Sequence, residues 1–326
     1  MNLNTDDSQG FVRDGETKRR ERAPKREPRR SNRVEINGWI NLDKPVGITS
    51  TQAVGELKFL FNAKKVGHAG TLDPLASGVL PIAFGEATKT VPVVQEGEKR
   101  YLFEVKWGEE TDTDDTEGRV IACSDLRPSP AEIAAVLPQF LGAIQQVPPM
   151  YSAIKIAGER AYDLARDGAE FEIAAREIVV HRLDLVSAKR DSAVFEAECG
   201  KGAYVRSIAR DLGRTLGCRA HVVMLRRSRV GPFHADKGSA LDILRESPEA
   251  RAGAMQPVEA GLSELARVAV DRNGAAILRR GQKLLLRGSA APVEGLAYTI
   301  CLGTPVAVGV IEDGHFVSTR VFNLGN

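Results

Sequence analysis

Residues 67–80 read Gly67-His68-Ala69-Gly70-Thr71-Leu72-Asp73-Pro74-Leu75-Ala76-Ser77-Gly78-Val79-Leu80. Glycines at this density let the backbone take positive φ angles and approach a ligand closely. Pro74 fixes its own φ and pushes the preceding Asp73 into an extended conformation, so the carboxylate is held in a defined direction. Because the stretch contains no second acid, it suggests a nucleophile or an electrostatic group rather than a paired acid and base.

The same residues also fit a purely structural turn. Asp73 is a favourable N-cap, and Pro74 is a favourable first residue of a helix. From spacing alone this is the simpler interpretation, because most Asp-Pro turns are only turns. It predicts a helix that begins near Pro74.

The composition excludes several classes of protein. The chain has 326 residues, of which 43% are hydrophobic and 27% charged, and its formal net charge is +2. No apolar run approaches the ~20 residues that span a bilayer, and the polar N-terminus lacks a signal-peptide core. The cysteines show no Cys-x-x-Cys spacing and the histidines are dispersed, which argues for reduced thiols in a cytosol and against a metal site. This length predicts a globular protein of two domains.

Residues 1–33 are expected to form a disordered basic arm. Its nine basic residues between Lys18 and Arg33 face only two glutamates, and two prolines interrupt a segment that has no apolar periodicity. Such an arm could add phosphate affinity through counterion release, or it could be a solvated tail without a role. The sequence favours neither interpretation over the other.

The remaining pattern indicates an α+β fold. We predict strands at 38–42, 101–107, 178–186 and 193–198, a helix capped by Thr49 or Ser50, a helix capped by Ser129, and a helix over 204–216 closed by Gly217. Residues 34–252 are therefore expected to form one α+β domain with a mixed, mainly antiparallel sheet and inserted helices. Short apolar runs at 297–302, 305–311 and 316–322, bounded by glycines, predict a small β-barrel within a second domain over 253–326.

Two charged segments have more than one interpretation. Asp112-Thr113-Asp114-Asp115 does not match a calcium loop, so we expect an acidic solvated hairpin. Arg206, Arg210 and Arg214 share one helix face, where either carboxylates such as Asp211 or RNA phosphates could neutralise them. The nearby basic and aromatic residues favour RNA binding; they are Arg226, Arg227, Arg229, His221, Tyr151, Tyr162 and Tyr204.

The 67–80 stretch resembles the catalytic motif of the TruB family of pseudouridine synthases, which is close to Gly-His-x-Gly-Thr-Leu-Asp-Pro-x-Ala-x-Gly. Ala69 and Ser77 stand where threonine is frequent in that family, and both keep a small side chain. Further blocks follow in the family's order and cover nearly everything from Gly38 to Phe233. They lie at 38–50, 99–101, 111–114, 146–155, 202–206 and 220–227.

The resemblance implies that residues 34–252 are the catalytic domain and that they isomerise a uridine in the T loop of tRNA, at position 55, to pseudouridine. It implies Asp73 as the nucleophile, Tyr101 as the group that stacks on the uracil and assists proton removal from C5, and Arg206 as the partner that keeps Asp73 ionised. The target base must be flipped out of its loop. The reaction consumes no energy donor, so neither a cofactor nor a metal is expected.

The resemblance also implies how the RNA is bound. His68 matches the residue that fills the space left by the flipped base, Tyr204 and Leu225 match base-contacting positions, and Lys44 matches a lysine with a phosphate or structural contact. The C-terminal unit resembles a compact PUA-type RNA-binding domain. A bacterial-type enzyme of this kind is expected to be a cytoplasmic monomer that acts on tRNA without a protein partner.

Overall fold

A computed structural model describes residues 33–152, 154–156, 159–162, 171–286 and 294–325. The expected basic arm at 1–33 lies outside these residues, apart from Arg33. Within the described residues, no helix is long and apolar enough to cross a membrane.

The strands follow one another along the chain in short segments joined by turns and helices. They are β1 Gly38–Lys44, β2 Val66–His68, β3 Ala76–Phe84, β4 Lys99–Trp107, β5 Glu109–Thr111, β6 Val120–Cys123, β7 Gly142–Gln146, β8 Lys155–Ile156, β9 Glu159–Arg160, β10 Arg176–Ala188, β11 Ser192–Cys199, β12 Ala220–Val230, β13 Phe233–His234, β14 Ser239–Ala240, β15 Met255–Gln256, β16 Ala266–Ala269, β17 Leu284–Leu285, β18 Gly295–Cys301, β19 Thr304–Glu312 and β20 His315–Val321.

Two kinds of helix connect these strands. The α-helices are α1 Ser50–Leu60, α2 Val91–Glu96, α3 Pro130–Val136, α4 Val205–Thr215, α5 Leu241–Glu246, α6 Pro248–Ala254 and α7 Arg272–Arg279. The 3-10 helices are Gly85–Thr90, Leu137–Phe140, Ala235–Lys237 and Val258–Leu262.

Local sequence signals explain why several elements begin where they do. The Thr49 hydroxyl accepts a hydrogen bond from the Gln52 amide at 3.1 Å, and the Gln52 side chain accepts from the Thr49 amide at 2.7 Å, which completes a capping box for α1. Ser129 and Glu132 form the same box at the start of α3. Buried and half-buried residues alternate along β4, as its period-two pattern predicts.

The large sheet carries the candidate site. Within the described residues it has eleven strands in the order β14-β1-β3-β12-β4-β11-β10-β7, with β2 beside β3, β13 beside β12 and β15 beside β1. The β1/β14 and β3/β12 pairs are parallel and the other pairs are antiparallel. The predicted mixed, mainly antiparallel sheet with inserted helices is confirmed.

The expectation of a helix near Pro74 is wrong. Residues 76–84 form β3, which is flanked in the sheet by β1 and β12. Its side chains are almost all buried, with Leu80 in one apolar cluster and Val79 in another. Gly78 explains how the chains approach so closely: its φ is +105°, and a Cβ there would lie 2.2 Å from the Arg227 carbonyl oxygen. Burial on both faces of a central strand outweighs the local preference for a helix.

A second sheet forms the small barrel-like C-terminal unit. Its order is β16-β18-β19-β20-β17, with one parallel pair, β16/β18. Ala275 and Leu278 of α7 pack in one apolar cluster with Val306 and Phe316 of this sheet. The three strands expected at the C-terminus are confirmed, whereas the domain boundary at 252/253 stays a prediction.

Candidate active site

Asp73 lies in the turn between β2 and β3, and residues at and just before the start of α1 hold the backbone on both sides of it. The Ser50 hydroxyl accepts from the Leu72 amide at 2.8 Å and donates to the Leu72 carbonyl at 2.9 Å. The Gly47 amide donates to the Pro74 carbonyl at 2.8 Å. The carboxylate therefore extends from a turn whose neighbouring peptide groups are fixed.

Arg206, in the first turn of α4, forms an ion pair with this carboxylate. Its Nε lies 3.0 Å from Asp73 Oδ2, and its Nη1 lies 3.2 Å from Asp115 Oδ2. Nη1 also donates to the Thr113 carbonyl at 2.9 Å, and Nη2 donates to the Tyr151 carbonyl at 3.0 Å. The Arg206 side chain is 6% exposed and that of Asp73 is 31% exposed, so the arginine lies beneath a carboxylate that a substrate can reach.

The other arginines of α4 are held by acids of the β5–β6 hairpin. Arg210 Nη1 donates to Asp114 Oδ2 at 2.9 Å, and Arg214 Nη2 donates to Glu110 Oε1 at 2.6 Å. Asp114 and Asp115 are buried. The expectation of a solvated acidic loop is therefore wrong for these two residues, and Arg206 and Arg210 are not free to bind RNA phosphates.

The segment that follows β7 is fastened to the same helix. The Gln146 side chain accepts from the Tyr204 amide at 2.8 Å and donates to the Tyr204 carbonyl at 3.1 Å. Ser207 and Arg210 both donate to the Val147 carbonyl, at 2.9 and 2.8 Å. Because Tyr204 occupies the N-cap position of α4, these contacts set where the helix begins and so where Arg206 lies.

Tyr101 and Arg227 occupy directly opposed positions on β4 and β12. Burial raises the pKa of the Tyr101 hydroxyl, while the charge of Arg227 and a hydrogen bond to it act to lower that pKa, and the charge of Asp73 acts to raise it. Arg227 is 3% exposed. The expectation that it faces RNA is therefore wrong.

Lys44 ends β1 with its side chain fully buried. Its Nζ donates to the Pro45 and Ile48 carbonyls, each at 2.8 Å. Burial lowers the pKa of Lys44 to about 8, and the negative charge of Asp73 acts in the opposite direction. Of the two contacts expected for Lys44, the structure shows the structural one.

The remaining predicted residues, Leu225, His68 and Tyr204, lie on β12, at the end of β2 and at the N-cap of α4. Leu225 is paired with Ala76 of β3 on one side and Phe103 of β4 on the other, on the same face of β12 as Arg227. His68 ends β2 opposite Ile82. The Tyr204 ring lies under the Arg176 guanidinium, whose Cζ is 5.0 Å from the ring centroid.

Thus the structure brings Asp73, Arg206, Tyr101 and Lys44 into electrostatic contact, and it places Leu225 beside the strand that leaves the Asp73 turn. Ser50 was noticed in the sequence only as a possible helix cap, and Gln146 only as part of a resembling block. Their proximity to Leu72 and Tyr204 could not be seen from local spacing. No group of three or more His, Cys, Asp or Glu residues in the described part of the chain is arranged to hold a metal ion.

Known proteins similar to this chain share its length and its fold. Family models match it at residues 58–205, the N-terminal domain of the TruB family pseudouridylate synthases, and at 206–263, the tRNA pseudouridylate synthase B C-terminal domain. The tRNA pseudouridine synthase B of Bradyrhizobium diazoefficiens is 55% identical over 90% of this chain and 88% of its own length. That of Rhodopseudomonas palustris is 54% identical over 91% of this chain and 83% of its own length.

A solved structure agrees with these matches. A chain in the crystal structure of a Cbf5–Nop10–Gar1 complex is similar with a TM-score of 0.67 and 26% identity, over 88% of this chain and 84% of that one. Together these findings define the class of enzyme: the protein is a pseudouridine synthase, an isomerase that converts uridine in RNA to pseudouridine. Within that class, identity above one half across nine-tenths of the sequence shows that the chain belongs to the TruB family.

Proposed function

We propose that this enzyme isomerises the uridine at position 55 in the T loop of tRNA, with Asp73 as the nucleophile and the target base flipped out of the loop. The observation that carries the proposal is the contrast between the two carboxylates on Arg206. Asp115 is buried, whereas Asp73 is 31% exposed on the same guanidinium. Of these two acids, Asp73 is the one that a flipped nucleotide can reach.

The isomerisation needs no oxidant or reductant, because the product contains the same atoms and electrons as the substrate. The bond from C1′ of the ribose to N1 of the uracil breaks, the base turns, and a bond from C1′ to C5 forms. The proton on C5 is lost and N1 gains one. Asp73 attacks the nucleoside as a carboxylate nucleophile, and the bond that it forms breaks again before the product leaves, which regenerates the carboxylate. The buried Arg206 and Lys44 supply positive charge on the protein side of it.

Tyr101, Leu225, His68 and Tyr204 are proposed to receive the flipped base and its loop. Tyr101 and Leu225 share one face of neighbouring strands next to the end of the Asp73 turn. Tyr101 stacks on the uracil and its hydroxyl handles the C5 proton. His68 and Tyr204, which lie at the start of the turn and of α4, contact the RNA around the vacated position.

The remaining parts of the proposal concern the whole protein. The relatives are named as tRNA-modifying enzymes of bacteria, which supports tRNA as the substrate and the cytoplasm as the location. We assign RNA binding to a PUA-like unit at 253–326 and expect a monomer that needs no protein partner.

The test is to map pseudouridine in an unmodified tRNA transcript after incubation with the full chain. We expect a single modified site, at position 55, and no product from Asp73→Asn, with tRNA affinity within several-fold of the original because phosphate contacts elsewhere supply most of it. Asp191→Asn is the matched control, since Asp191 is 65% exposed and pairs only with Arg127 in the described structure. Modification at a different site, or turnover by Asp73→Asn, would contradict the proposal.

A further inference from the structure

The Arg227 guanidinium donates hydrogen bonds to three carbonyls of the backbone around Asp73. Nε donates to the Val79 carbonyl at 2.8 Å, Nη1 to the Thr71 carbonyl at 3.1 Å and Nη2 to the Gly70 carbonyl at 3.1 Å. Gly70 and Thr71 precede Asp73, and Val79 lies in the strand that follows it. One planar side chain thus connects the two arms of the turn that presents the carboxylate.

The charge of Arg227 also differs from that of its neighbours. Arg206, Arg210, Arg214, Arg226 and Arg229 each lie within 4 Å of at least one carboxylate, as the ion pairs show. Among the described residues, Arg227 forms no such pair, although it is almost fully buried. Carbonyl oxygens satisfy its hydrogen bonds without cancelling its full positive charge.

This buried charge acts on groups around the site. Burial is the main cause of the lowered pKa of Lys44 and of Lys99, and the charge of Arg227 lowers both further. The same charge opposes the burial that raises the pKa of Tyr101. Tyr101 is the residue directly opposite Arg227 in the β4–β12 register. The Tyr101 hydroxyl therefore lies beside a buried cation and within electrostatic range of Asp73.

We propose that Arg227 is a positioning residue for the isomerisation: its three carbonyl contacts set the Asp73 turn, and its uncancelled charge keeps the Tyr101 hydroxyl polarised toward the base. When the glycosidic bond breaks, the bonding electron pair stays with the uracil, and a positive charge behind Tyr101 stabilises that base through the hydroxyl. The inference rests on the proposed role of Asp73.

The two parts of this role can be separated by two variants. Arg227→Lys keeps the charge but cannot reproduce the planar fork that reaches three carbonyls, whereas Arg227→Met removes both. The matched control is Arg182→Met, because Arg182 lies on β10 of the same sheet, is 47% exposed and pairs with Asp184 and Glu196.

Hydrogen exchange measures the turn without depending on activity. We expect amides of residues 67–75 to exchange faster in both Arg227 variants, with β4 and β11 unchanged, and no change in the Arg182 control. Unaltered exchange in the turn would contradict the contribution of the three carbonyl contacts. Because this measurement needs no substrate, it stands even if the assignment of Asp73 fails.

Single-turnover kinetics measure the consequence for the reaction. We expect Arg227→Met to lower the rate constant on tRNA by about 10²-fold, as expected for a misplaced reacting group or a lost electrostatic contact, with the dissociation constant for tRNA nearly unchanged. Arg227→Lys should lose about 10-fold, the part that depends on geometry. If the variants only bind tRNA more weakly and their rate constants are unchanged, the proposal is wrong and Arg227 contributes to RNA binding instead.

The pH profile distinguishes positioning from simple structural support. In Arg227→Met the alkaline limb of the rate should move to higher pH, because the pKa values of Lys44 and Tyr101 are no longer lowered by the missing charge. In Arg227→Lys the limb should stay near that of the original enzyme although the rate is reduced. If the pH profiles of Arg227→Met and Arg227→Lys are the same as each other, the charge of Arg227 has no part in the reaction. If Arg227→Met does not fold, the Lys variant still tests the geometry, since its rate and its exchange in the turn must both change.

Discussion

Removing one hydroxyl should loosen the Asp73 turn and weaken the whole fold. Ser50 Oγ is the hydrogen-bond partner of both the amide and the carbonyl of Leu72, at 2.8 and 2.9 Å. Both residues are 3% exposed. In Ser50→Ala the two backbone groups of Leu72 lose this partner in a place that excludes bulk water.

The magnitude follows from the cost of burying unsatisfied groups. Each such donor or acceptor costs about 1–3 kcal/mol, so two of them set a range of about 2–6 kcal/mol. Partial relaxation of the turn reduces this cost, and we expect the free energy of unfolding to fall by about 3 kcal/mol. The midpoint of urea unfolding, followed by tryptophan fluorescence, measures the change.

The same variant should slow the reaction because the residue after Leu72 is Asp73. A displacement of about 1 Å in a reacting group can cost about 10²-fold in rate, so single-turnover conversion of tRNA should fall by at least about 10-fold at saturating enzyme. Ser263→Ala is the control, since Ser263 is exposed and makes one hydrogen bond, to the Ala260 carbonyl at 3.2 Å. It should change stability by less than about 0.5 kcal/mol. A Ser50→Ala enzyme as stable and as fast as the original would refute the reasoning.

Two further predictions concern titratable side chains. Tyr101→Phe should keep stacking and tRNA affinity but lower the single-turnover rate by about 10²–10⁴-fold, since it deletes the hydroxyl proposed to handle the C5 proton. If the rate is near normal, Tyr101 serves only as a stacking surface. The pKa of Lys44 is lowered from 10.5 to about 8 in the fold, so the unfolded chain binds more protons between those values and this residue adds stability as pH rises from 8 to 10.5. Lys44→Met should lack the contribution of Lys44 and show a smaller rise, since the pKa of Lys99 is also lowered by burial to about 8 and that residue still contributes. Urea midpoints at pH 7 and pH 10 measure the rise; an equal rise in both proteins would show that Lys44 does not titrate in this window.

Local signals in the sequence were sufficient for elements whose stability is local. The helix cap predicted at Thr49 or Ser50, the cap at Ser129 with Glu132 and the alternation along β4 depend on residues a few positions apart. All three are confirmed, with Thr49 as the cap of α1. The strand β3 depends instead on β1 and β12, which pair with it on either side and come from other parts of the chain. Its apolar run has no period, and the Asp-Pro pair before it favours a helix locally, so the purely structural interpretation of that pair predicted the wrong element.

The arginines of α4 show the same limit for the candidate site. Their i, i+4 spacing correctly placed Arg206, Arg210 and Arg214 on one face, but spacing does not show what faces that surface. The partners Glu110, Asp114 and Asp115 precede the helix by about ninety residues or more, as the sequence separations of 91 to 104 show. Only the fold of the β5–β6 hairpin against α4 shows that these cations are paired within the protein.

Once β12 is known to be a strand, the alternation of side chains along it shows that Arg226 and Arg227 have different environments. Adjacent residues of a strand point to opposite faces, so two neighbouring arginines cannot both face the same RNA surface. In β12, Arg227 shares its face with Leu225, while Arg226 lies on the other face and binds Asp43 through two contacts, at 3.0 and 2.8 Å. Arg226 remains 36% exposed and Arg227 is buried. A mutation of both residues together would therefore mix a surface effect with a change in the Asp73 turn, and only the single variants can separate RNA affinity from the chemistry.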